Sequence, residues 1–587
     1  RLDQPESWIY LDDGRAIRVN ADFATMLMPD PNQAPESGTL EGNILLRAYD
    51  STPAPGTPAS DEQQPTLTAR FEEPVEFERR YLRLSSPGRF EIESAQVDFA
   101  GTDLTVILND LRNRIEMIDV VHGDTLVIHT DAVNDQSPQE SPASEQSAST
   151  KPKPATPDAT ETETDTPPTT KVAQDTPRTT TPESTQPATP PAAPDTQRYI
   201  VSLDRDVSAS VPGSGTVNAD TLELWAAFID GQLPDDAIRR IAIAQNAPQE
   251  PQKTQTKNTP DNTPKNYTPP ASTNPPAKQT PKPTAAAVTE GNDLVINWSG
   301  PMRVRPIDAE VPRQLQDDHL ALRLSSDEGS GITMSAPDRG FTGQAKELTY
   351  FATRAVVKMI GEQTNEGIIK MQVDQGGTLF ASALDVDLTT GVLNMPQRGS
   401  ITTINEDPEQ IAAVRWTNKA QIAFALDEQG AITQRLPHAR FEGAAIAEQA
   451  GNSIGARVID ATLDPTLPPA SALTTLALTE GVIASAEKQT LTGRDLTIDF
   501  VPDAIPGNPP HPVRITSIGS SMGRTPDAML RANDLHAELF LDESGQTRLR
   551  TARAVGDVNY RDSSRTTAVA SNLDADAVQE IIVLTGP

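Results

Sequence analysis

Apolar and polar residues alternate along this chain in runs that slip by one place without breaking, and no other feature constrains the fold as tightly. Leu530 and Ala532 stand on even positions, whereas Leu535, Ala537, Leu539 and Leu541 stand on odd ones. Strict alternation marks a strand with one buried face. A one-place slip returns the apolar side chains to the same side only across a bulge or a sharp corner. The same slip falls at Ala21/Ala24, Ser94/Val97, Ala219/Leu222, Ala345/Leu348, Ala381/Leu384, Ala456/Ile459, Gly493/Leu496 and Ala570/Leu573. A small residue precedes each slip, where a folded strand leaves least room for a side chain.

The slips are periodic. From Ala345 onward they are 36, 75, 37, 39 and 38 residues apart. The double step holds a degraded copy around Trp416, Asn418, Gln421, Ala423 and Ala425. A period near 37 in strand-rich sequence implies stacked hairpin-like units, each covering its apolar face with the next. A second strand in most units is expected to end in a turn glycine, at Gly361, Gly399, Gly481, Gly519, Gly556 and Gly586.

Composition supports a thin sheet over one large core. Of 587 residues only 36% are hydrophobic and 4% aromatic, and small aliphatic residues dominate the strands. The net charge of −33 argues against a nucleic-acid partner, which needs a basic face. With no cysteine there are no disulfides, thiolate metal sites or cysteine nucleophiles. No stretch approaches the roughly 20 apolar residues needed to span a bilayer as a helix. Because the chain starts at Arg1, it reads as a fragment or processed chain, and missing targeting signals carry no weight.

Five segments emerge: strand-rich residues 1–130, a Thr/Pro-rich insertion at 131–196, strands plus a short helix at 197–246, a second insertion at 247–286, and the regular repeat block 287–587. Strands are expected at Trp8 to Tyr10, Ala16 to Ala21, Gly42 to Tyr49, Phe71 to Phe77, Arg89 to Phe99, Asp103 to Asn109, Arg114 to Val121 and Thr125 to His129. The insertions hold too little apolar surface to offset ordering entropy and are expected to be disordered. The orphan repeat copy Val217-x-Ala219-x-x-Leu222-x-Leu224 could not fold alone. It is therefore expected to continue the sheet, with the ends of each insertion close together. Helical turns are expected at Pro234 to Ala244 and Asn405 to Ala413.

Site chemistry is sparse. His122, His129, His319, His438, His511 and His536 show no metal-ligand spacing, and His122 and His129 lack a nearby carboxylate pattern. No phosphate loop, G-x-S-x-G elbow or H-E-x-x-H is present. Asp12-Asp13 and Asp317-Asp318 read as solvated turn acids, and Gly376-Gly377 as a turn. Trp8, Trp225, Trp298 and Trp416 are widely spaced, which favours packing over a sugar-binding surface. An enzyme is not expected, nor is a cofactor or metal.

The strands around Leu491-Thr-Gly-Arg-Asp-Leu, Leu530-Arg-Ala-Asn-Asp-Leu and Thr567-Ala-Val-Ala-Ser-Asn-Leu, with the turns Gly556-Asp-Val558 and Gly399-Ser-Ile401, resemble the OstA-like repeat. That is the family of periplasmic lipopolysaccharide-transport proteins of the LptA and LptC type. The resemblance covers roughly 1–130, 197–245 and 287–587. The chain departs from the family in its length and its Thr/Pro-rich insertions. The resemblance implies an all-β, elongated, V-shaped half-open jelly roll of stacked antiparallel strands. It also implies a periplasmic or envelope location in a Gram-negative-type bacterium. The implied role is shielding lipopolysaccharide acyl chains in an apolar trough between inner and outer membranes. Expected partners are lipopolysaccharide or a similar acylated lipid, and other jelly-roll transport proteins joined by edge-strand pairing. By alternation, Leu384, Val386, Leu496, Ile498, Leu535, Ala537, Leu539, Leu573 and Ala575 should line the trough. The alternative is a structural or adhesive envelope β-solenoid without lipid transport, with the apolar faces forming a closed core.

Overall fold

A computed structural model describes residues 1–10, 16–29, 35–49, 64–109, 114–129, 196–211, 215–229, 233–234, 293–308, 310–326, 331–337, 340–361, 369–373, 377–403, 412–427, 430, 432–433, 435–468, 471–486, 488–503, 508–542 and 545–586. Among these, regular structure is β-strand apart from the 3-10 turns Arg79–Tyr81 and Arg313–Leu315. The strands join one 36-stranded sheet. It is an elongated, jelly-roll-like antiparallel assembly.

The sheet is a pair of ladders sharing the same chain. The first ladder opens with Glu6–Tyr10, Ala16–Asn20, Ile44–Tyr49 and Leu67–Phe71. The second opens with Leu2–Asp3, Phe23–Leu27, Ser37–Glu41 and Val75–Glu78. Each pass of the chain runs along one ladder, turns a corner and continues in the other. Some passes use two short strands, as in Gly377–Ala381 and Ala383–Asp387. Others bend one long strand, as in Ala528–Leu541, where pairing shifts register between Arg531 and Asp534.

Two kinds of corner alternate. Passing from the first ladder to the second, the chain bends after Ala21, Ala219, Ala345, Ala381, Ala456, Ala532 and Ala570, all buried, and after Gly493. Six of the returning passes use two successive left-handed residues: Gly42-Asn43, Arg205-Asp206, Gly443-Ala444, Glu480-Gly481, Gly519-Ser520 and Gly556-Asp557. Most pairs hold a glycine, which alone adopts positive φ without steric cost. The glycine also admits a close neighbour from the adjacent corner. A Cβ on Gly519 would meet the Arg494 side chain at 2.9 Å, and one on Gly556 would meet that of Asn533 at 2.5 Å. These glycines are therefore corners within passes; the expectation that they end strands is corrected at Gly481, Gly519 and Gly556.

The core follows the corners. On the second ladder Leu222, Leu324, Leu348, Met359 and Leu384 lie in successive register next to the crease, and all are buried. Residues of both ladders merge into one apolar cluster running from Val19 to Leu496. Full burial of each such side chain contributes about 1.5–3 kcal/mol. Trp416 of the first ladder meets Phe441 of the second with ring centroids 5.4 Å apart. Past Leu496 the cluster is interrupted, and Ala532, Ala554, Val558, Ala570 and Leu573 form a separate one. At the break lie Ser517 and Ser521, both fully buried, their hydroxyls 2.8 Å apart.

Other expectations shift. Ser94/Val97 is no corner: the Ser94 hydroxyl donates to Val97 O at 2.7 Å in the hairpin between Arg83–Ser94 and Val97–Asn109. Phe71 to Phe77 spans a corner between Leu67–Phe71 and Val75–Glu78. Arg114–Ile128 is one strand instead of two. Ala412 and Ala413 begin the strand Ala412–Trp416, so the helical turn expected there does not reach them. Asn405, Asp12-Asp13, Gly376 and most of the expected helix at Pro234 to Ala244 lie outside the described residues, as do 131–195 and 247–286.

The two ends of each insertion stand on different ladders. Arg114–Ile128 ends on the first ladder, paired with Leu294–Asn297. Thr196 stands on the second, opposite Ile229. Ends of different insertions meet instead, His129 beside Asp293 and Thr196 beside Ile229.

Candidate functional site

The nine alternation-selected residues fall on one face of the second ladder. Leu384, Leu496, Leu535 and Leu573 lie next to the crease; Val386, Ile498, Ala537 and Ala575 lie one step out, and Leu539 one further. Leu384, Leu496 and Leu573 are buried and the other six half-buried. The seven from Leu496 onward sit on three alternate passes separated by Ser517/Ile515 and Ala554/Ala552. Leu384 and Val386 lie farther along the same rows. Their neighbours in sequence, Asp385, Asp495, Asp499, His536, Glu538 and Asp574, alternate onto the opposite face, where Arg514 and Arg553 each stand 3.7 Å from a carboxylate, Asp499 and Asp574.

The row one step from the crease is the main structural finding. It runs through register pairs from Phe77 to Leu84, Val106, Ile118, Val304, Val201, Leu224, Leu322, Tyr350, Val357 and Val386. It continues through Leu393, Ile422, Ala439, Ala461, Leu476, Ile498, Ile515, Ala537, Ala552, Ala575 and Ile582. Every member is aliphatic or aromatic, and the Tyr350 hydroxyl is the one polar side-chain group in the row. At about 4.8 Å per strand, these steps trace a stripe on the order of 100 Å long. Most members are half-buried, whereas the row beside the crease is almost wholly buried. Burial thus falls with distance from the crease.

Sequence alternation found part of this stripe and missed the rest. Ile422 sits in the degraded repeat copy, with Leu393 in the pass before it and Ala439 in the pass after it, where spacing is irregular. The opposing wall was missed too: Leu491 and Leu530 of the first ladder pack as half-buried side chains against the cores. Alternation before each small residue carried that signal.

The acids and histidines behave differently from expectation in two places. The Asp318 carboxylate is fully buried, accepting from Arg354 Nε at 2.6 Å and Arg354 N at 3.0 Å. It is a structural clamp and not a solvated turn acid. His129 does have carboxylates, brought from distant sequence: Nε2 lies 2.9 Å from Asp98 and Nδ1 3.1 Å from the buried Asp293. Burial pulls the imidazole pKa down, but the hydrogen bonds and charges of Asp98 and Asp293 outweigh it and leave the pKa raised. With both ring nitrogens engaged, this group ties strands together and presents no free lone pair for catalysis or a metal. Among the described residues no group of three or more His, Asp or Glu is placed to hold a metal ion.

Trp225, Trp298 and Trp416 are buried, and Trp8 stacks on Tyr49 with centroids 5.5 Å apart. Trp225 belongs to a small apolar cluster with Ile200, Leu315 and Ala321. A depression of about 490 Å³ lies near the last strands. Its lining is mixed: Arg514, Glu538, Arg553 and Asp574 of the polar face stand beside Ala537, Ala552 and Ala575 of the stripe. No protein-family model and no curated protein sequence matches this chain.

Proposed function

We propose that this chain is a lipid conduit of the bacterial envelope, holding acyl chains of lipopolysaccharide or a similar lipid along its apolar inner face between inner and outer membranes. One observation carries the reading: an unbroken apolar stripe on the order of 100 Å long, half-buried over most of its length. A site for one small ligand is a compact pocket of about 300–1,000 Å³. A stripe of this length and uniform chemistry fits passage along a path instead. Each buried methylene of an acyl chain gains about 0.8 kcal/mol, so many weak, equivalent positions hold a lipid without one strong site. A desolvated unpaired charge would oppose this by several kcal/mol, and the stripe contains none.

The second reading is a structural envelope protein whose inner face is only core. The Trp416–Phe441 contact between ladders favours it, since it fills the crease at that point. Photo-crosslinking separates the two. A photoreactive residue at Leu539 should capture lipopolysaccharide in cells, and one at Glu538 on the opposite face should not. Equal capture at both positions, or none at either, removes the conduit reading.

A further inference from the structure

The order of strands in the sheet departs from the order in the chain at one place. Arg114–Ile128 pairs with Val97–Asn109 on one side. On its other side it pairs with a split strand, Leu294–Asn297 and Met302–Pro306. The far side of that split strand pairs with Thr196–Val211, which comes earlier in the chain. Among the described residues, Arg114–Ile128 and Thr196–Val211 share no ladder pairing. Residues 1–129 therefore join the rest of the sheet's pairing only through the split strand.

The seam is specific. Four register positions lie on Leu294–Asn297 and three on Met302–Pro306. Inward Ile118, Val120, Leu126 and Ile128 face Val304, Met302, Ile296 and Leu294. Four side-chain contacts tie the two sides: His129–Asp293 at 3.1 Å, Arg114–Asp308 at 2.6 Å, Asp119–Arg303 at 3.2 Å and Thr125–Asn297 at 3.0 Å. Trp298 lies against Gly123, where any Cβ would come within 1.8 Å of the indole. Bulk at position 123 is thus excluded, and the two edges fit each other in one register.

The covalent connection imposes no such selection. Residues 129 and 196 are separated by a 66-residue segment outside the described structure, whose contour could reach roughly 200 Å. A chain that long does not compel residues 1–129 to pair with the split strand of their own copy. An identical edge on a second copy offers every contact just described, which is the condition for low-cost exchange. We propose that this seam is an exchange interface: Arg114–Ile128 of one copy pairs with the split strand of another, giving a reciprocal dimer. Its intramolecular competitor has an effective concentration in the millimolar range, so the dimer forms when copies fold together at high concentration and the monomer dominates on dilution.

The absence of cysteine makes the test clean. Val127 and Val295 are register partners, and partners directly opposite on antiparallel strands stand within disulfide range. Val127→Cys and Val295→Cys are prepared as separate full-length chains, unfolded, mixed, refolded at high concentration and oxidised. The expected product is a covalent heterodimer linked between positions 127 and 295, identified by peptide mass spectrometry and diminished more than tenfold when refolding is done at high dilution. The double variant in one chain, refolded dilute, should close the same link internally and reports that the geometry permits it. Thr125→Cys with Asn297→Cys, a second register pair, replaces it if it does not close. An internal link in either double variant with no 127–295 or 125–297 heterodimer in the matching mixture overturns the proposal.

Discussion

Gly493→Ala tests the crease where the apolar cluster is interrupted. Gly493 is a corner residue without positive φ, so alanine strains no backbone there. In ordinary sites such a change stabilises by about 0.4–1 kcal/mol by narrowing the unfolded ensemble. Here the new Cβ would stand 2.4 Å from Ser517 Oγ, with Ser521 Oγ at 3.5 Å. The Ser517 hydroxyl is fully buried and hydrogen-bonded to Ser521, so it cannot swing into solvent. Overpacking costs about 1–3 kcal/mol, and separating the two hydroxyls adds about 1–3 kcal/mol. The opposing gain is smaller, leaving a net loss of about 1–5 kcal/mol. Gly455→Ala is the control: its Cβ would meet nothing closer than 4.0 Å, and Gly523→Ala nothing within 4 Å. Both should be neutral or slightly stabilising. A repeat array does not unfold in one step, so hydrogen exchange read separately over Gln489–Val501 and His511–Arg524 is the appropriate assay. Ser517→Ala removes the obstructing hydroxyl and should restore most of the protection lost in Gly493→Ala. Equal protection in Gly493→Ala and Gly455→Ala, or no rescue by Ser517→Ala, would refute the reasoning.

Trp416→Ala should cost about 3–5 kcal/mol, because it empties the contact with Phe441 and removes the indole donation to Gln397 O at 2.8 Å; urea unfolding followed by exchange in Ala412–Trp416 and His438–Gln449 checks it. The His129 clasp should make the seam pH-dependent. Its folded pKa is raised by the flanking Asp98 and Asp293. The added stability is therefore complete below the unfolded value near 6.5 and fades as pH rises through the folded value. Exchange in Leu294–Asn297 should accelerate over that range beyond the intrinsic pH effect, and His129→Gln should abolish the excess; an unchanged excess in the variant would show that other groups set it.

Eight of the nine slips mark true corners because a bend in a one-face-buried strand must reset the alternation locally. The side chain at these eight bends is also small, as at Ala381, Ala456 and Ala532, whereas Phe71 and Trp416 precede bends that the slips did not mark. Those are rules of one strand, readable from a few neighbouring residues. Ser94/Val97 broke the reading because a tight hairpin resets alternation in the same way. The left-handed returning corners at Gly481, Gly519 and Gly556 looked like strand ends for a related reason: a glycine reports positive φ but not whether pairing continues beyond it. Of the candidate lining, the face was legible from alternation, while the stripe's continuity through Leu393, Ile422 and Ala439 depended on which passes became neighbours. That choice is long-range. Many alternating strands of suitable direction could fill the slot beside Arg114–Ile128, and chain order alone points to Thr196–Val211. The folded protein places Leu294–Asn297 and Met302–Pro306 there instead, and so brings Asp293 to His129 across 164 residues of sequence. Local patterning encodes the shape of each pass and the side it buries; the partner of each edge is set by competition among similar edges, which is resolved only when the whole sheet is assembled.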